Sequence, residues 1–134
     1  MRLWNWKSRL AAFLTASAAQ PYAIGHHDCA LFAAGAVMAV TGHDPGDAFR
    51  GRYRSKTGGL RLVRAAGHTD HIAVFAAALE EIAPSFAAPG DVAVVMHPQD
   101  GPLLGVVQGE SIYVLGENGL GHASRALMVR AFRT

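Results

Sequence analysis

The chain has 134 residues, of which 51% are hydrophobic, and a formal net charge of +2 at pH 7. This length fits one domain, and the apolar content is sufficient to bury a single core without disulfides or metal ions. The one cysteine, Cys29, excludes a disulfide within the chain and so argues against a small secreted disulfide scaffold. We therefore predict a single domain over residues 1–134.

The basic residues are scattered along the chain, apart from the run RGRYRSK between Arg50 and Lys56. A short charge run without a nucleic-acid motif is typical of a solvated face. No stretch approaches the ~20 consecutive apolar residues that a membrane span needs. We therefore expect neither nucleic-acid binding nor a membrane span.

The N-terminal segment has the outline of a signal peptide, because basic residues precede an apolar stretch that ends in small residues. Lys7 and Arg9 interrupt that stretch, however, and large apolar residues recur at helical spacing from Leu3 to Leu14. We interpret the segment as an amphipathic first helix and expect no signal peptide.

Further helices are predicted in the first two thirds of the chain. Asp28 is placed to cap a helix over CALFAAGAVMAV, and Gly42 is placed to end it. Asp44 and Pro45 predict a short third helix. The runs LRLVRAAG and DHIAVFAAALEEI predict two more helices, separated at Gly67.

The pattern changes after Gly90-Asp91, where short β-rich runs alternate with turn clusters. The runs are VAVVM, LLGVVQG, SIYVL and ALMVRAF, and the turn clusters include HPQDGP and GENGLG. Helices followed by antiparallel strands are typical of an α+β domain with the helices packed on one side of a sheet.

Cys29 stands directly behind Asp28, at the predicted start of the second helix. In that position, unpaired N–H groups and the positive end of the helix dipole would lower the pKa of the thiol and favour a nucleophile. The alternative is an inert cysteine packed among apolar neighbours, since free cysteine is among the most buried residue types. Position alone leaves both interpretations open.

The order of motifs resembles the NlpC-type branch of the papain-like cell-wall cysteine peptidases. PYAIG runs into DCALF, and PGDVAVV and LGVVQG follow later, so the resemblance extends from Pro21 to about Phe132. Its most specific part is the stretch Tyr22–Cys29 combined with Gly90-Asp91. The segment GHDPGDAFRGRY further resembles a subgroup found beside the tail genes of phages and prophages.

This resemblance implies a papain-like α+β fold that hydrolyses an amide bond in peptidoglycan stem peptides, without a metal ion or other cofactor. Cys29 would be the nucleophile, and Tyr22 would line the substrate site. His27 and Asp28, beside the cysteine, are further candidates for substrate binding. The implied partners are peptidoglycan peptides and phage-like tail proteins, and the implied location is the bacterial cytoplasm before assembly or a phage-like particle.

The chain departs from the family at the catalytic base. The family begins its second strand with a histidine, but alignment on Gly105 puts Leu103 there, and Leu115 falls near the third polar position. Neither leucine transfers a proton, and a cysteine without a base loses its activation. A hairpin closed by PQDGP would set His97 opposite Leu103, so His97 is the candidate base. The alternative is a solvent-exposed histidine at the tip of the hairpin, because the register of the hairpin is not fixed by the sequence.

Four other histidines are weaker candidates. His26 and His27 precede the cysteine and are expected to shape the rim of the cleft, since a sequence neighbour is poorly placed as a general base. His68 and His71 have the one-turn spacing of a metal pair, but no third ligand accompanies them. We expect these two to mark a solvated helix start.

Three hypotheses of function follow. The first is an active cysteine peptidase. The second is a catalytically degenerate relative that serves as a structural tail component or as a muropeptide-binding module. The third is a redox-sensing or scaffold protein in which Cys29 acts only as a thiol, since a fold resemblance alone does not establish chemistry.

Overall fold

Four α-helices precede a six-stranded antiparallel sheet in the computed structural model, which describes residues 1–134. The helices are α1 (Trp6–Ala19), α2 (Cys29–Thr41), α3 (Lys56–Ala65) and α4 (His71–Ala78). The strands are β1 (Glu80–Ile82), β2 (Val92–His97), β3 (Gly101–Val107), β4 (Ser111–Gly116), β5 (Gly119–Ser124) and β6 (Met128–Arg133). Their order in the sheet is β1-β6-β2-β3-β4-β5, which confirms the predicted α+β class.

The central helix α2 begins and ends where the sequence predicts, because both of its ends carry capping residues. Asp28 Oδ1 accepts a hydrogen bond from the N–H of Leu31 at 3.0 Å. Gly42 adopts the left-handed conformation with φ +83°, and its N–H donates to the carbonyl of Met38. Between these caps, Phe32 is fully buried, and the helix packs on β3.

Alternation along β2 distributes its side chains to the two faces of the sheet. Val92 and Val94 join the main core together with residues of the helices. Ala93 and Val95 belong to a second apolar cluster, which contains no helical residue and therefore lies on the opposite face. By the same alternation, His97 stands on the face directed away from the helices.

The short helix predicted after Asp44 is wrong, because this segment forms turns. Asp44 Oδ1 accepts a hydrogen bond from the N–H of Gly46 at 2.9 Å, and the carboxylate pairs with Arg50 at 3.0 Å. These contacts stabilise a loop that crosses over the start of α2, where Arg50 also reaches the carbonyl of Leu31 at 3.5 Å.

Two further parts of the chain differ from the prediction. The last predicted helix stops at Ala78, and Glu80–Ile82 forms the edge strand β1, paired with β6. Strand β5 was missed, because its glycine-rich start resembles a turn. None of the four helices has the length and apolar character needed to cross a bilayer.

Candidate functional site

The loop before α2 is organised around the carboxylate of Asp28. Its Oδ2 accepts hydrogen bonds from the N–H of Gly25 at 2.9 Å and from the hydroxyl of Tyr53 at 2.5 Å, while Oδ1 caps the helix. Gly25 has φ +85°, and a Cβ atom there would lie 1.9 Å from the carbonyl oxygen of Tyr53. The loop therefore depends on glycine at this position and is held against the segment that contains Tyr53.

His27 anchors the same loop to α1. Its side chain is buried, and Nε2 lies 3.1 Å from the carbonyl oxygen of Ser17. Its backbone pairs with Ala23. The imidazole does not line the cavity beside Cys29, so the structure places His27 in a structural contact and not at the predicted substrate site.

Cys29 is the first residue of α2 and lies, partly exposed, on the wall of a cavity of about 550 Å³. The cavity is enclosed by α2, α3, α4 and the hairpin between β2 and β3. Of the predicted site residues, Tyr22 and Asp28 share this wall with Cys29. No residue of β2 lines the cavity, whereas Pro102 and Leu103 belong to β3, the strand that packs against α2.

Burial raises the pKa of the Cys29 thiol, and the negative charge of Asp28 raises it further. The N–H groups of Leu104 and Ala30 and the ammonium group of Lys56 act in the opposite direction without reversing the shift. The lowered pKa expected from the helix end is therefore wrong, because loss of hydration outweighs the helix donors. Attack on a carbonyl by this thiol requires a base.

His71 supplies an imidazole on the wall of the same cavity. It is the first residue of α4, and Asp70 caps that helix by accepting a hydrogen bond from the N–H of Ala73 at 2.8 Å. Burial lowers the pKa of His71 from 6.5, whereas Asp70, Asp28 and the carbonyl of Pro102 raise it. The ring is therefore neutral at pH 7, the form that accepts a proton.

The expectation that His71 marks a solvated helix start is wrong, because its side chain is half-buried in the cavity. One signal in the sequence pointed to it: Asp28-Cys29 and Asp70-His71 are parallel pairs, in each of which the aspartate caps a helix and the next residue begins it. Sequence spacing did not reveal that the two helix starts face one cavity.

His97 lies apart from this site. Leu103 pairs with Val95 across the hairpin, so the predicted register, with His97 opposite Leu103, is wrong by two residues. The Nδ1 atom of His97 accepts hydrogen bonds from the N–H groups of Gln99 at 3.2 Å and Asp100 at 3.1 Å. Its ring does not line the cavity, so the structure does not bring His97 and Cys29 together.

Two tyrosines complete the polar part of the wall. Burial raises the pKa of both Tyr22 and Tyr53, and the negative charge of Asp28 adds to the effect. Both hydroxyls therefore stay protonated at physiological pH. Tyr53 donates to Asp28, whereas the hydroxyl of Tyr22 has no hydrogen-bond partner within the protein and is free to contact a ligand.

A search of curated proteins finds no match to this sequence. One family model covers residues 1–134, and its description assigns no activity. Over its whole described length the chain belongs to this family, the domain of unknown function DUF6950.

Proposed function

We propose that the protein is a cysteine hydrolase of the NlpC type that cleaves an amide bond, with Cys29 as nucleophile and His71 as proton carrier. The observation that carries this proposal is the placement of both residues on one cavity wall. The imidazole of His71 also interacts with the carbonyl of Pro102, the neighbour of Leu103. In the peptidases that the sequence resembles, the catalytic imidazole belongs at the position of Leu103; here a helix would supply it.

In the proposed reaction, the neutral imidazole of His71 accepts the thiol proton of Cys29 as the sulfur attacks the carbonyl carbon. N–H groups at the start of α2 stabilise the negative oxygen of the tetrahedral intermediate. His71 then protonates the leaving amine as the C–N bond breaks, which leaves a thioester on Cys29. Water hydrolyses the thioester, and its proton returns through His71 to the sulfur.

The substrate in this proposal is a peptidoglycan stem peptide, because the motifs from Pro21 to Phe132 resemble those of cell-wall peptidases. The papain-like identity of the fold is part of the same proposal. It is supported by a helix that begins with cysteine and packs on an antiparallel sheet. The resemblance of GHDPGDAFRGRY supports an association with phage-like tail proteins, in a particle or in the bacterial cytoplasm before assembly.

The test is hydrolysis of purified muropeptides, followed by mass spectrometry of the products. Cys29→Ala should abolish product formation, and His71→Gln should reduce it by at least about a hundredfold, the usual contribution of a general acid–base. His97→Gln is the matched control, because it removes an exposed imidazole outside the cavity, and it should leave the rate nearly unchanged. Full activity in His71→Gln would contradict the proposed role of His71.

A second candidate, a catalytically degenerate muropeptide-binding or structural tail component, is favoured by two observations. The pKa of Cys29 is raised, and the position that carries the base in related peptidases is Leu103. In that case, the wild type and Cys29→Ala would bind muropeptides equally and hydrolyse none. Leu103→His should also stay inactive, because Leu103 packs with the second apolar cluster, on the face of the sheet directed away from the helices.

A further inference from the structure

The cavity continues from Cys29 into the main apolar core. Its inner wall is formed by Ala34 of α2, Leu60 and Val63 of α3, and Val74 and Phe75 of α4. A volume of about 550 Å³ falls within the range of small-molecule sites, roughly 300–1,000 Å³. An apolar wall of this extent favours a ligand with an aliphatic chain, since removal of that chain from water drives binding.

Two of the three acidic groups on the cavity wall have hydrogen-bond partners in the protein. Asp28 accepts three hydrogen bonds, and Asp70 caps α4. Asp100 Oδ2 lies 3.4 Å from the Nδ1 atom of His97. That nitrogen accepts hydrogen bonds from two backbone N–H groups, so it does not donate to Asp100. Asp28 and Asp70 are therefore engaged within the protein, whereas Asp100 is an exposed carboxylate on the hairpin.

Lys56 differs from these groups. It is the first residue of α3, lines the same cavity and is exposed at its mouth. Its ammonium group forms neither an ion pair nor a hydrogen bond with the protein, and no carboxylate pairs with Arg64, the other cation of the wall. The three N–H donors of Lys56 are therefore available to a ligand.

We propose that this cavity binds an aliphatic carboxylate, with its chain between α2, α3 and α4 and its carboxylate on Lys56. The carboxylate receives charge-assisted hydrogen bonds from an ammonium group that has no partner in the protein. A cationic headgroup near the thiol would instead meet Asp28 and Asp70, which already accept hydrogen bonds. This inference goes beyond the proposed hydrolysis, because binding requires no reaction at Cys29.

The test uses the full chain with Cys29→Ser, so that binding is measured separately from any reaction at sulfur, and octanoate as the probe. Propionate has the same headgroup with a short chain, and octylammonium has the same chain length with the opposite charge. In calorimetric titrations, octanoate should bind at least about tenfold more tightly than either. Nuclear Overhauser effects from its terminal methyl group to Val63 and Val74 should locate the chain.

Single substitutions separate the two halves of this site. Lys56→Gln should weaken octanoate binding about fivefold or more, whereas Lys56→Arg should retain it. Arg61→Gln is the matched control, because it removes a positive charge from the same helix outside the cavity. Leu60→Trp, at a half-buried position, should fill the apolar wall and abolish binding without loss of the circular dichroism spectrum.

Two results would overturn the inference. The assignment of the carboxylate to Lys56 would be refuted if octylammonium bound as tightly as octanoate. It would also be refuted if Lys56→Gln left the Kd for octanoate unchanged. Propionate that binds as tightly as octanoate would refute the aliphatic chain. If the wild type bound octanoate but did not hydrolyse muropeptides, the proposed function would be refuted and this inference supported.

Discussion

At the residue scale, burial displaces two pKa values in opposite directions on one cavity wall. It raises the pKa of the Cys29 thiol and lowers the pKa of the His71 imidazole. Both shifts have the same cause, because removal from water disfavours the charged form of either group. The pair therefore rests as a thiol and a neutral imidazole, so in the proposed reaction proton transfer would accompany the attack of sulfur.

His71 should make the free energy of unfolding depend on pH. Because its pKa in the folded chain is below 6.5, its unfolded value, the unfolded state binds the proton more tightly. The contribution of the neutral ring to the free energy of unfolding is fully present above pH 6.5. It is lost as the pH falls toward the pKa of His71 in the folded chain. Urea unfolding at about pH 7.5 and about pH 5.5 measures this loss.

Replacement of the imidazole tests the assignment of this pH effect. His71→Gln should lose less stability than the wild type between the two pH values, because it has no ring to protonate. His43→Gln removes an exposed histidine outside the Cys29 cavity and should behave as the wild type. An equal loss in His71→Gln and wild type would show that other groups cause the acid destabilisation.

Asp28→Asn should make Cys29 more reactive and the protein less stable. The negative charge of Asp28 raises the pKa of the thiol, so its removal should lower that pKa. The amide nitrogen of asparagine cannot accept the hydrogen bond from Gly25, a loss of about 1–3 kcal/mol. The pH dependence of alkylation by iodoacetamide measures the thiol pKa.

Asp70→Asn provides the matched control, since it removes a capping carboxylate from the other helix start on the cavity. It should leave the alkylation profile of Cys29 unchanged, because Asp70 is not among the groups that shift the thiol pKa. A higher thiol pKa in Asp28→Asn would contradict the electrostatic account of the site.

At the element scale, the sequence predicted structures whose cause is local. Asp28 and Gly42 carry their capping preference in their own covalent structure, so both ends of α2 could be assigned. Strand β1 could not, because Glu80–Ile82 is extended only through its pairing with β6, distant in sequence. Non-local pairing of this kind leaves little trace in a short run of residues.

The same distinction applies to the candidate site. Cys29, Tyr22 and Asp28 belong to one short segment, and all three line the cavity. The placement of His97 depended on a hairpin register and was wrong, and that of His71 depends on how α4 packs near Pro102. Neither register nor helix packing follows from residue spacing alone.

Gly25→Ala should destabilise the loop that leads into α2 by roughly 2–4 kcal/mol, from backbone strain and a steric clash. The added Cβ would lie 1.9 Å from the carbonyl oxygen of Tyr53, at φ +85°. Gly67→Ala isolates the strain, because Gly67 has φ +95° and no atom within 4 Å of the added Cβ. Thermal unfolding should show the larger loss in Gly25→Ala, and equal losses would refute the close approach.

At the scale of the whole molecule, Asp91 joins distant segments of the chain at the start of β2. Its Oδ1 accepts hydrogen bonds from the guanidinium of Arg2 and the N–H of Thr134, both at 3.0 Å. Its Oδ2 accepts one from the N–H of Ala88 at 2.9 Å, and the residue is only 2% exposed. Gly90-Asp91 therefore opens the strand and also ties the segment before α1 to the end of β6.

Asp91→Ala should lower the free energy of unfolding by about 2–4 kcal/mol, because several donors lose a buried, charged acceptor together. Glu81→Ala is the matched control: Glu81 pairs with Arg130 at 2.8 Å, but the two side chains are 47% and 41% exposed. Water screens such a pair, so its loss should cost at most about 1 kcal/mol. Urea unfolding of both variants measures the difference, and equal costs would show that Asp91 does not join these segments energetically.

Because Asp91 lies outside the cavity wall, octanoate binding by the folded Asp91→Ala variant should match that of the wild type. This comparison separates the stability of the fold from the chemistry of the site.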